Sequence, residues 1–433
     1  MILKISPTPS LQGSLRLPVS KSYSIRAFLI AACGGDSRIL HPSDCDDAKV
    51  AMSVASALGA EIKIPKPGCF SVKARRRRPS LSKVNVKESG TVLRLLLPLL
   101  SIYSDKAVVT GEGTLRGRPN KFLTEALRQT GMNIRGAGEK ESIPVVYRGG
   151  KISKEAIAID GSISSQFTSA LMIACPQLDH DVMVTIIGQD LVSEDYLVMT
   201  RQILSLAGIK IKKKDPRTYQ IDGGQIFKGL KNFEVPSDYG LAAFLMAAAA
   251  VTKSDVKLTG AFHDNLLQAD GRMLGFLQRL GVKFEKTSKA IHIKGPFALK
   301  GGTFSLKDCP DLVPVMAALA LFAQGPTRLV DIHHARAKES DRISDLRREL
   351  LKVGAEISET SDTLVIHPQP LSVYTRDVVL DPHRDHRLAM AFVVLGLKLG
   401  ASVKDIECTH KSYPGFVADL KTLGAGARKL KSI

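Results

Sequence analysis

A repeat constrains this chain more than any other feature. Six segments share one shape, a short polar stretch running into an Ala/Leu-rich apolar run: SKSYSIRAFLIAAC, ESGTVLRLLLPLLS, SSQFTSALMIAC, SDYGLAAFLMAAAAV, PDLVPVMAALALFA and RDHRLAMAFVVLGL. Anchored at Ser22, Gly90, Ser165, Asp238, Asp311 and Asp385, they recur at steps of 68, 75, 73, 73 and 74 residues. A second series, ASALGAEIKI, LRQTGMNI, LSLAGIKIK, LQRLGVKF, LLKVGAEI and KTLGA, places glycines at 59, 131, 208, 281, 354 and 424, at steps of 72, 77, 73, 73 and 70. In each, a helix ends at a Gly, the residue suited to a left-handed position just past a helix, and a β-like run follows. Two series with nearly one period imply six copies of one supersecondary unit.

The two helices of each unit differ. The first is apolar almost all round, as in Leu241–Val251 and Leu388–Leu397, and is expected to be buried on every side. Leu93–Tyr103, Tyr239–Val251 and Leu312–Ala323 are too short to span a membrane, which takes about 18 apolar residues, and read as buried core helices. The second is amphipathic. Ile343, Leu346, Leu350 and Val353 share one face, with Arg347, Arg348 and Glu349 among the polar positions of a helix covering a surface. Short strands such as Val108–Gly111, Val182–Ile187 and Val256–Thr259 lie between, giving units of β-α-β-α-β-β form. Six such units exceed one core. Three plus three is the natural split, with a boundary near Asn232–Pro236.

Composition sets the class. The chain has 433 residues, 44% hydrophobic and 24% charged, which is globular usage. Six cysteines, Cys33, Cys45, Cys69, Cys175, Cys309 and Cys408, are scattered without a CxxC pair, as expected of reduced thiols in a cytoplasm. MILKISPTPSLQGSLRLPVSKS has no basic stretch followed by an apolar one, so no secretory signal is expected. The net charge is +19, which suits either a polyanion-binding surface or a cleft for small anions. With no Trp and 5% aromatics, stacking platforms for nucleic acid are thin. The densest basic cluster, Arg75–Arg78, precedes Pro79-Ser80 and reads as a solvated loop.

The placement of the cations favours the cleft. Helix starts are positive ends of the macrodipole, so cations there are misplaced unless an anion joins them. Yet Lys21 and Arg26 stand at the start of the first buried helix, and Arg342 and Arg387 fall in first turns. Lys411 and Arg118 occupy polar loops before the amphipathic helices of their units. Any one of these alone reads as a surface cation. Together, at equivalent points of repeated units, they suggest a site for multiply charged phosphates. Ser22, Ser164, Ser165, Gln166 and Ser193 supply donors for a polyhydroxylated, phosphorylated substrate. Asp311, opening a buried helix, and Glu339, between Lys338 and Arg342, fit either helix caps and ion-pair partners or proton-transfer groups. No metal-ligand spacing and no Rossmann or Walker-A glycine pattern is present, so no metal, dinucleotide or ATP is expected.

These residues resemble the enolpyruvyl transferase family of 5-enolpyruvylshikimate-3-phosphate synthases along essentially the whole chain. The motifs are Ser20-Lys21-Ser22 with Arg26, Ser89-Gly90-Thr91 with Arg94, Leu115-Arg116-Gly117-Arg118-Pro119, Gly161–Phe167, Lys338-Glu339-Ser340-Asp341-Arg342, Asp385–Met390 and Lys411. The resemblance implies an α/β, two-domain enolpyruvyl transferase fold of six βαβαββ repeats, three per domain, with sheets around buried parallel helices. Residues 20–234 would form one domain and residues 1–19 plus 235–433 the other, with the active site in the cleft between them. The implied reaction moves the enolpyruvyl group of phosphoenolpyruvate to the 5-hydroxyl of shikimate-3-phosphate and releases phosphate, without a cofactor. Carried over by motif, phosphoenolpyruvate contacts fall on Lys21, Gly90, Arg118, Gln166, Arg342, Arg387 and Lys411. Shikimate-3-phosphate contacts fall on Lys21, Ser22, Arg26, Ser164, Ser165, Gln166, Ser193, Tyr196, Asp311, His334 and Lys338. Asp311, Glu339 and Lys21 are the implied catalytic residues, with Asp311 accepting the 5-hydroxyl proton and Glu339 protonating the methylene carbon. The resemblance further implies that glyphosate competes with phosphoenolpyruvate, and that the enzyme is a cytoplasmic monomer with no nucleic-acid or membrane partner.

Some positions depart from the common pattern. Glu88, Ile25, Arg384 and His334 stand where Asn is frequent. Glu88 adds negative charge beside a phosphate-binding turn unless it points away or pairs with Lys87 or Arg94. The nearest rival is UDP-N-acetylglucosamine enolpyruvyl transferase, which shares the architecture but usually carries a catalytic Cys in the loop that here reads GEGTLRGRPN (Gly111–Asn120). A non-enzymatic nucleic-acid-binding protein is the rival from another class.

Overall fold

The computed structural model describes residues 1–75, 81–263 and 265–430. Of the Arg75–Arg78 cluster only Arg75 lies among the described residues; its Nη2 stands 3.6 Å from Glu61 Oε2 in an exposed pair. The chain divides into two compact units, Val19–Val235 and Met1–Pro18 with Pro236–Ile433.

Among the described residues each unit holds three four-stranded sheets of one pattern. In the repeat of residues 156–221, Ala156–Asp160 pairs parallel to Val182–Ile187. The latter pairs antiparallel to Thr218–Ile221, which pairs antiparallel to Ile211–Lys213. The parallel pair requires a crossover, and the buried helix Gln166–Ala174 supplies it. Repeats 83–147 and 302–367 are built the same way. The other three borrow a strand from far along the chain. Phe233–Glu234 leads the sheet of Asp36–Leu40, and Ser10–Arg16 leads that of Lys253–Thr259. Ile2–Ile5 lies between Ala401–Val403 and Ala427–Leu430.

The apolar helices Lys21–Cys33, Gly90–Leu96 and Gln166–Ala174 in one unit, and Tyr239–Val251, Val313–Ala320 and His386–Leu399 in the other, form the cores. Four of the six starts are fixed by side-chain caps: Ser20 accepts from Tyr23 N, Ser89 from Val92 N, Asp238 from Leu241 N and Asp385 from Arg387 N. The expected single helix over Leu93–Tyr103 is instead two, Gly90–Leu96 and Leu100–Tyr103. Pro98, which has no N–H to donate, interrupts it.

The second helices, Asp46–Ala57, Lys121–Gln129, Asp195–Leu206, Met273–Arg279, Arg342–Lys352 and Phe416–Thr422, cover these cores. The six glycines that follow them, at 59, 131, 208, 281, 354 and 424, all have φ between 78 and 110°. Glu349, expected on the polar face of Arg342–Lys352, is instead 1% exposed. Lys352 Nζ at 2.6 Å, the Asp381 N–H at 2.7 Å and His383 Nε2 at 3.2 Å satisfy its carboxylate. All six cysteines are free thiols. Among the described residues no helix is long and apolar enough to cross a membrane, and no three His, Cys, Asp or Glu side chains are grouped to hold a metal.

Candidate active site

In the unit Val19–Val235, the helix start that carries Lys21 also carries Arg26, one turn further in. Arg26 is 1% exposed. Its Nε donates to Thr200 Oγ1 at 2.8 Å and its Nη1 to Ser22 O at 3.1 Å, while Nη2 has no hydrogen-bond partner among the described residues. The guanidinium lies 5.9 Å from the Tyr196 ring centroid, and no carboxylate among the described residues pairs with it. Burial pulls its pKa down to about 10. A buried guanidinium without a counter-charge is costly. Its unfilled donor fits an anionic or hydroxylated ligand. Thr200, which the sequence did not single out, holds it in place.

A second arginine has the opposite character. Arg94 Nη1 donates to Gln166 Oε1 at 2.9 Å and to Ser164 Oγ at 3.4 Å, Nη2 to Pro119 O at 3.0 Å, and its guanidinium lies 5.1 Å from the Phe167 centroid. Gln166 Nε2 donates to Thr91 Oγ1 at 3.0 Å. The Gln166 amide is therefore held at both ends by the Ser-Gly-Thr-x-x-Arg motif. Gly90 is the first residue of its helix, and Arg118 packs against it so closely that an added Cβ would lie 2.6 Å from Arg118 Nη1. Lys21 Nζ stands 3.1 Å from Asp47 Oδ2. Ser164 and Ser165 are buried at the head of Gln166–Ala174, and buried Ser193 takes a left-handed φ of 57° ahead of Asp195–Leu206. Glu88 Oε2 accepts from Thr114 Oγ1 at 3.3 Å, while Lys87 Nζ pairs with Glu112 at 2.9 Å.

The other unit gathers Asp311, Glu339, Arg342, Arg387 and Lys411 into one network. Arg342, 1% exposed, heads the helix Arg342–Lys352, and Asp341 caps that helix by accepting from the N–H groups of Ile343 and Ser344. Its Nη1 lies 2.7 Å from Asp311 Oδ1, its Nη2 3.1 Å from Glu339 Oε2 and its Nε 2.8 Å from Asp385 Oδ2. Arg387 Nη2 lies 2.8 Å from Asp311 Oδ2, and Lys411 Nζ 3.5 Å from Glu339 Oε1. Burial alone would raise the Asp311 pKa, but Arg387, Arg342 and Lys338 outweigh it and hold the carboxyl well below the usual range. Burial likewise works against Arg342, yet Asp385, Asp311 and Glu339 lift its pKa well above the ordinary value. Asp311 keeps 24% of its side chain exposed, against 7% for Glu339. His334 is buried, and burial, with Lys338 and His333 adding to it, lowers its pKa to about 2, so its imidazole is neutral.

Two further members were missed in the sequence. Asp270 faces Arg387 at 3.7 Å, and Asp47 pairs with Lys21. Both stand just ahead of, or at the start of, a covering helix, the position that Arg118 and Lys411 occupy in their own repeats. Superposing the repeats would have exposed them.

A family model described as EPSP synthase (3-phosphoshikimate 1-carboxyvinyltransferase) matches residues 5–420. The 3-phosphoshikimate 1-carboxyvinyltransferase of Methanococcus maripaludis is 33% identical over 432 residues, covering 98% of this chain and 99% of the relative. That of Methanocaldococcus jannaschii is 33% identical over 429 residues, covering 98% of each. The solved EPSP synthase of Acinetobacter baumannii superposes with a TM-score of 0.79 at 26% identity over 99% of both chains. The enolpyruvyl transferase NikO of Streptomyces tendae, at 18% identity and a TM-score of 0.77 over 100% of this chain and 99% of that one, shares the fold. With its six-sheet architecture and its match over nearly full length, this chain belongs to the EPSP synthase family, the 3-phosphoshikimate 1-carboxyvinyltransferases.

Proposed function

We propose that the chain transfers the enolpyruvyl group of phosphoenolpyruvate to the 5-hydroxyl of shikimate-3-phosphate through a tetrahedral adduct, with ligands drawn from both units. Lys21, Ser22, Arg26, Ser164, Ser165, Gln166, Ser193, Tyr196, Asp311, His334 and Lys338 hold shikimate-3-phosphate. Lys21, Gly90, Arg118, Gln166, Arg342, Arg387 and Lys411 hold phosphoenolpyruvate. The reading takes the enzyme as a cytoplasmic monomer that uses no cofactor.

The supporting observation is the network of two carboxylates set among three cations. As found, Asp311 is a poor base, because two guanidiniums hold its proton affinity down. The carboxylate and phosphate of phosphoenolpyruvate, drawn to Arg342, Arg387 and Lys411, divert those guanidiniums and raise the basicity of Asp311. Asp311 then takes the 5-hydroxyl proton as the oxygen bonds to C2, and Glu339 delivers a proton to C3. In the elimination C3 loses a proton, the C2–O bond to phosphate breaks, and the double bond re-forms. The cations steady charge through both steps. The loop Gly111–Asn120, which has no Cys, favours this over the UDP-sugar reaction.

Phosphate release should require shikimate-3-phosphate and fail with UDP-N-acetylglucosamine. Asp311→Asn and Glu339→Gln should each lower kcat by about 10²–10⁴-fold while calorimetric substrate binding persists. Wild-type turnover in either variant removes that residue from its role.

A further inference from the structure

Glu349 is a buried carboxylate that the proposed reaction leaves unused. It lies two turns along the helix Arg342–Lys352, about 10 Å from the arginine that heads it. Burying a carboxylate is costly unless donors meet it. Here Oε2 accepts from Lys352 Nζ at 2.6 Å and from the Asp381 N–H at 2.7 Å, and Oε1 lies 3.2 Å from His383 Nε2. Lys352 belongs to the same helix and keeps 41% of its side chain exposed, so water can serve it instead. The other two contacts tie that helix to the loop 381–385.

The loop leads directly into His386–Leu399, the helix that carries Arg387. Within it, His383 and Arg384 hold φ of 50 and 61°. Two successive left-handed residues other than Gly need support from their surroundings. Locally, the His383 N–H donates to Asp381 Oδ1 at 2.9 Å and the Asp385 N–H to Pro382 O at 2.8 Å. At the far end of the loop, Asp385 Oδ2 accepts from Arg342 Nε at 2.8 Å, while Oδ1 accepts from the Arg387 N–H at 2.8 Å. Among the described residues, one covering helix therefore grips the loop at both ends, through Glu349 at its start and Arg342 at its finish.

We propose that Glu349 is a positioning residue for phosphoenolpyruvate: by fastening Asp381 and His383 to the helix Arg342–Lys352, it sets the spacing between Arg342 and Arg387. The inference deepens the proposed reaction and rests on its assignment of these two arginines to phosphoenolpyruvate. Without the carboxylate, the Asp381 N–H and the His383 ring lose this contact and the left-handed turn relaxes. The shift passes to Asp385, which holds the Arg342 side chain and the Arg387 backbone together. An anion shared by two guanidiniums is sensitive to their spacing, because each presents its donors in a fixed fork.

The test compares Glu349→Ala with Glu349→Gln in steady-state phosphate release and in amide hydrogen exchange. Glutamine keeps the clamp without the charge: its amide oxygen can accept from the Asp381 N–H and its amide nitrogen can face the His383 ring. Alanine releases both. In Glu349→Ala, KM for phosphoenolpyruvate should rise about tenfold, from displacement of a binding group by a fraction of an ångström. Its kcat should stay within about threefold, since the arginines hold the substrate before and during reaction. KM for shikimate-3-phosphate should also stay within about threefold, because none of its proposed contacts lies in 342–352 or 381–387. The Asp381 amide should exchange at least about tenfold faster. Glu349→Gln should restore all of these to within about twofold of wild type. A wild-type KM for phosphoenolpyruvate in a folded Glu349→Ala, even one with a lowered melting temperature, overturns the inference. So does unchanged exchange at Asp381, or an equal loss in both variants. If Glu349→Ala does not fold, His383→Asn is read instead. Asn tolerates the left-handed backbone and ends short of the position of Nε2, so KM for phosphoenolpyruvate should rise about threefold, and a wild-type value overturns the inference. Absence of phosphate release by the wild-type protein instead overturns the proposed reaction, and this positioning role with it.

Discussion

Replacing Gly90 with Ala tests the site at its tightest point. The added Cβ would stand 2.6 Å from Arg118 Nη1, 2.9 Å from its Cζ and 3.4 Å from its Nε. Ordinary carbon contacts lie at about 3.5–4.0 Å, so the guanidinium must withdraw by roughly 1 Å. It can do so, being the far end of a flexible side chain, but it is only 5% exposed and moves away from where it is proposed to hold phosphoenolpyruvate. A displacement of about 1 Å in a positioning group can cost on the order of 10²-fold. For one cation of several, a rise of about tenfold in KM for phosphoenolpyruvate, ~1.4 kcal/mol, is expected. Folding should be little affected, since Ala gains about 0.5–1 kcal/mol over Gly within a helix and offsets the side-chain shift. Glyphosate is longer than phosphoenolpyruvate, so the same methyl should raise its inhibition constant by a larger factor, a selectivity that comes from added repulsion. The assay is phosphate release at varied phosphoenolpyruvate with and without glyphosate, for both proteins, beside thermal melts. An insensitive wild type, equal rises in both constants, or an unchanged KM would refute the reasoning.

Three further outcomes follow from the same geometry. Arg342→Met strips Asp311, Glu339 and Asp385 of their shared cation and should cost about 3–5 kcal/mol in urea unfolding at pH 7; a loss below about 1 kcal/mol contradicts the network. Asp270, with a folded pKa near 7 against an unfolded value of about 3.9, binds a proton on folding. It should therefore make stability fall as pH rises from about 4 to about 7, by up to ~1.4 kcal/mol per pH unit. Asp311 acts the other way: its depressed pKa adds stability above about pH 4 that is lost on further acidification. Asp270→Asn should thus gain on wild type toward pH 8 and match it near pH 4, and parallel unfolding curves across that range would exclude the effect. Because the proposed ligands come from both units, saturating shikimate-3-phosphate should reduce the radius of gyration in solution scattering; an unchanged curve counts against a shared site.

Much of the architecture was legible because it is written locally and six times over. Burial of a helix on all sides demands an unbroken apolar run, so Tyr239–Val251 carries the same bounds in sequence and structure. A left-handed residue after each covering helix demands a glycine, so the second series marks six chain reversals. Where a local rule was misapplied, a single residue decided: Pro98 cuts one expected helix in two, and a lysine, a histidine and a backbone N–H draw Glu349 inward from an apparently polar face.

Within the candidate site the residue types were legible and their partnerships were not. Lys21, Arg26, Arg118, Arg342, Arg387 and Lys411 stood out as cations at helix starts and in loops. The sequence could not say that Arg342 is held by three carboxylates whereas buried Arg26 has none among the described residues. Nor could it foresee that Phe233–Glu234 would lead a sheet begun at Asp36, or, beyond the expectation that residues 1–19 join the second half of the chain, which strands would flank Ile2–Ile5. Periodicity, caps and turns depend on neighbours a few residues away, so the chain alone determined the units and their number. Ion pairing, desolvation and strand exchange depend on groups brought together from distant repeats, and only the tertiary structure decided those.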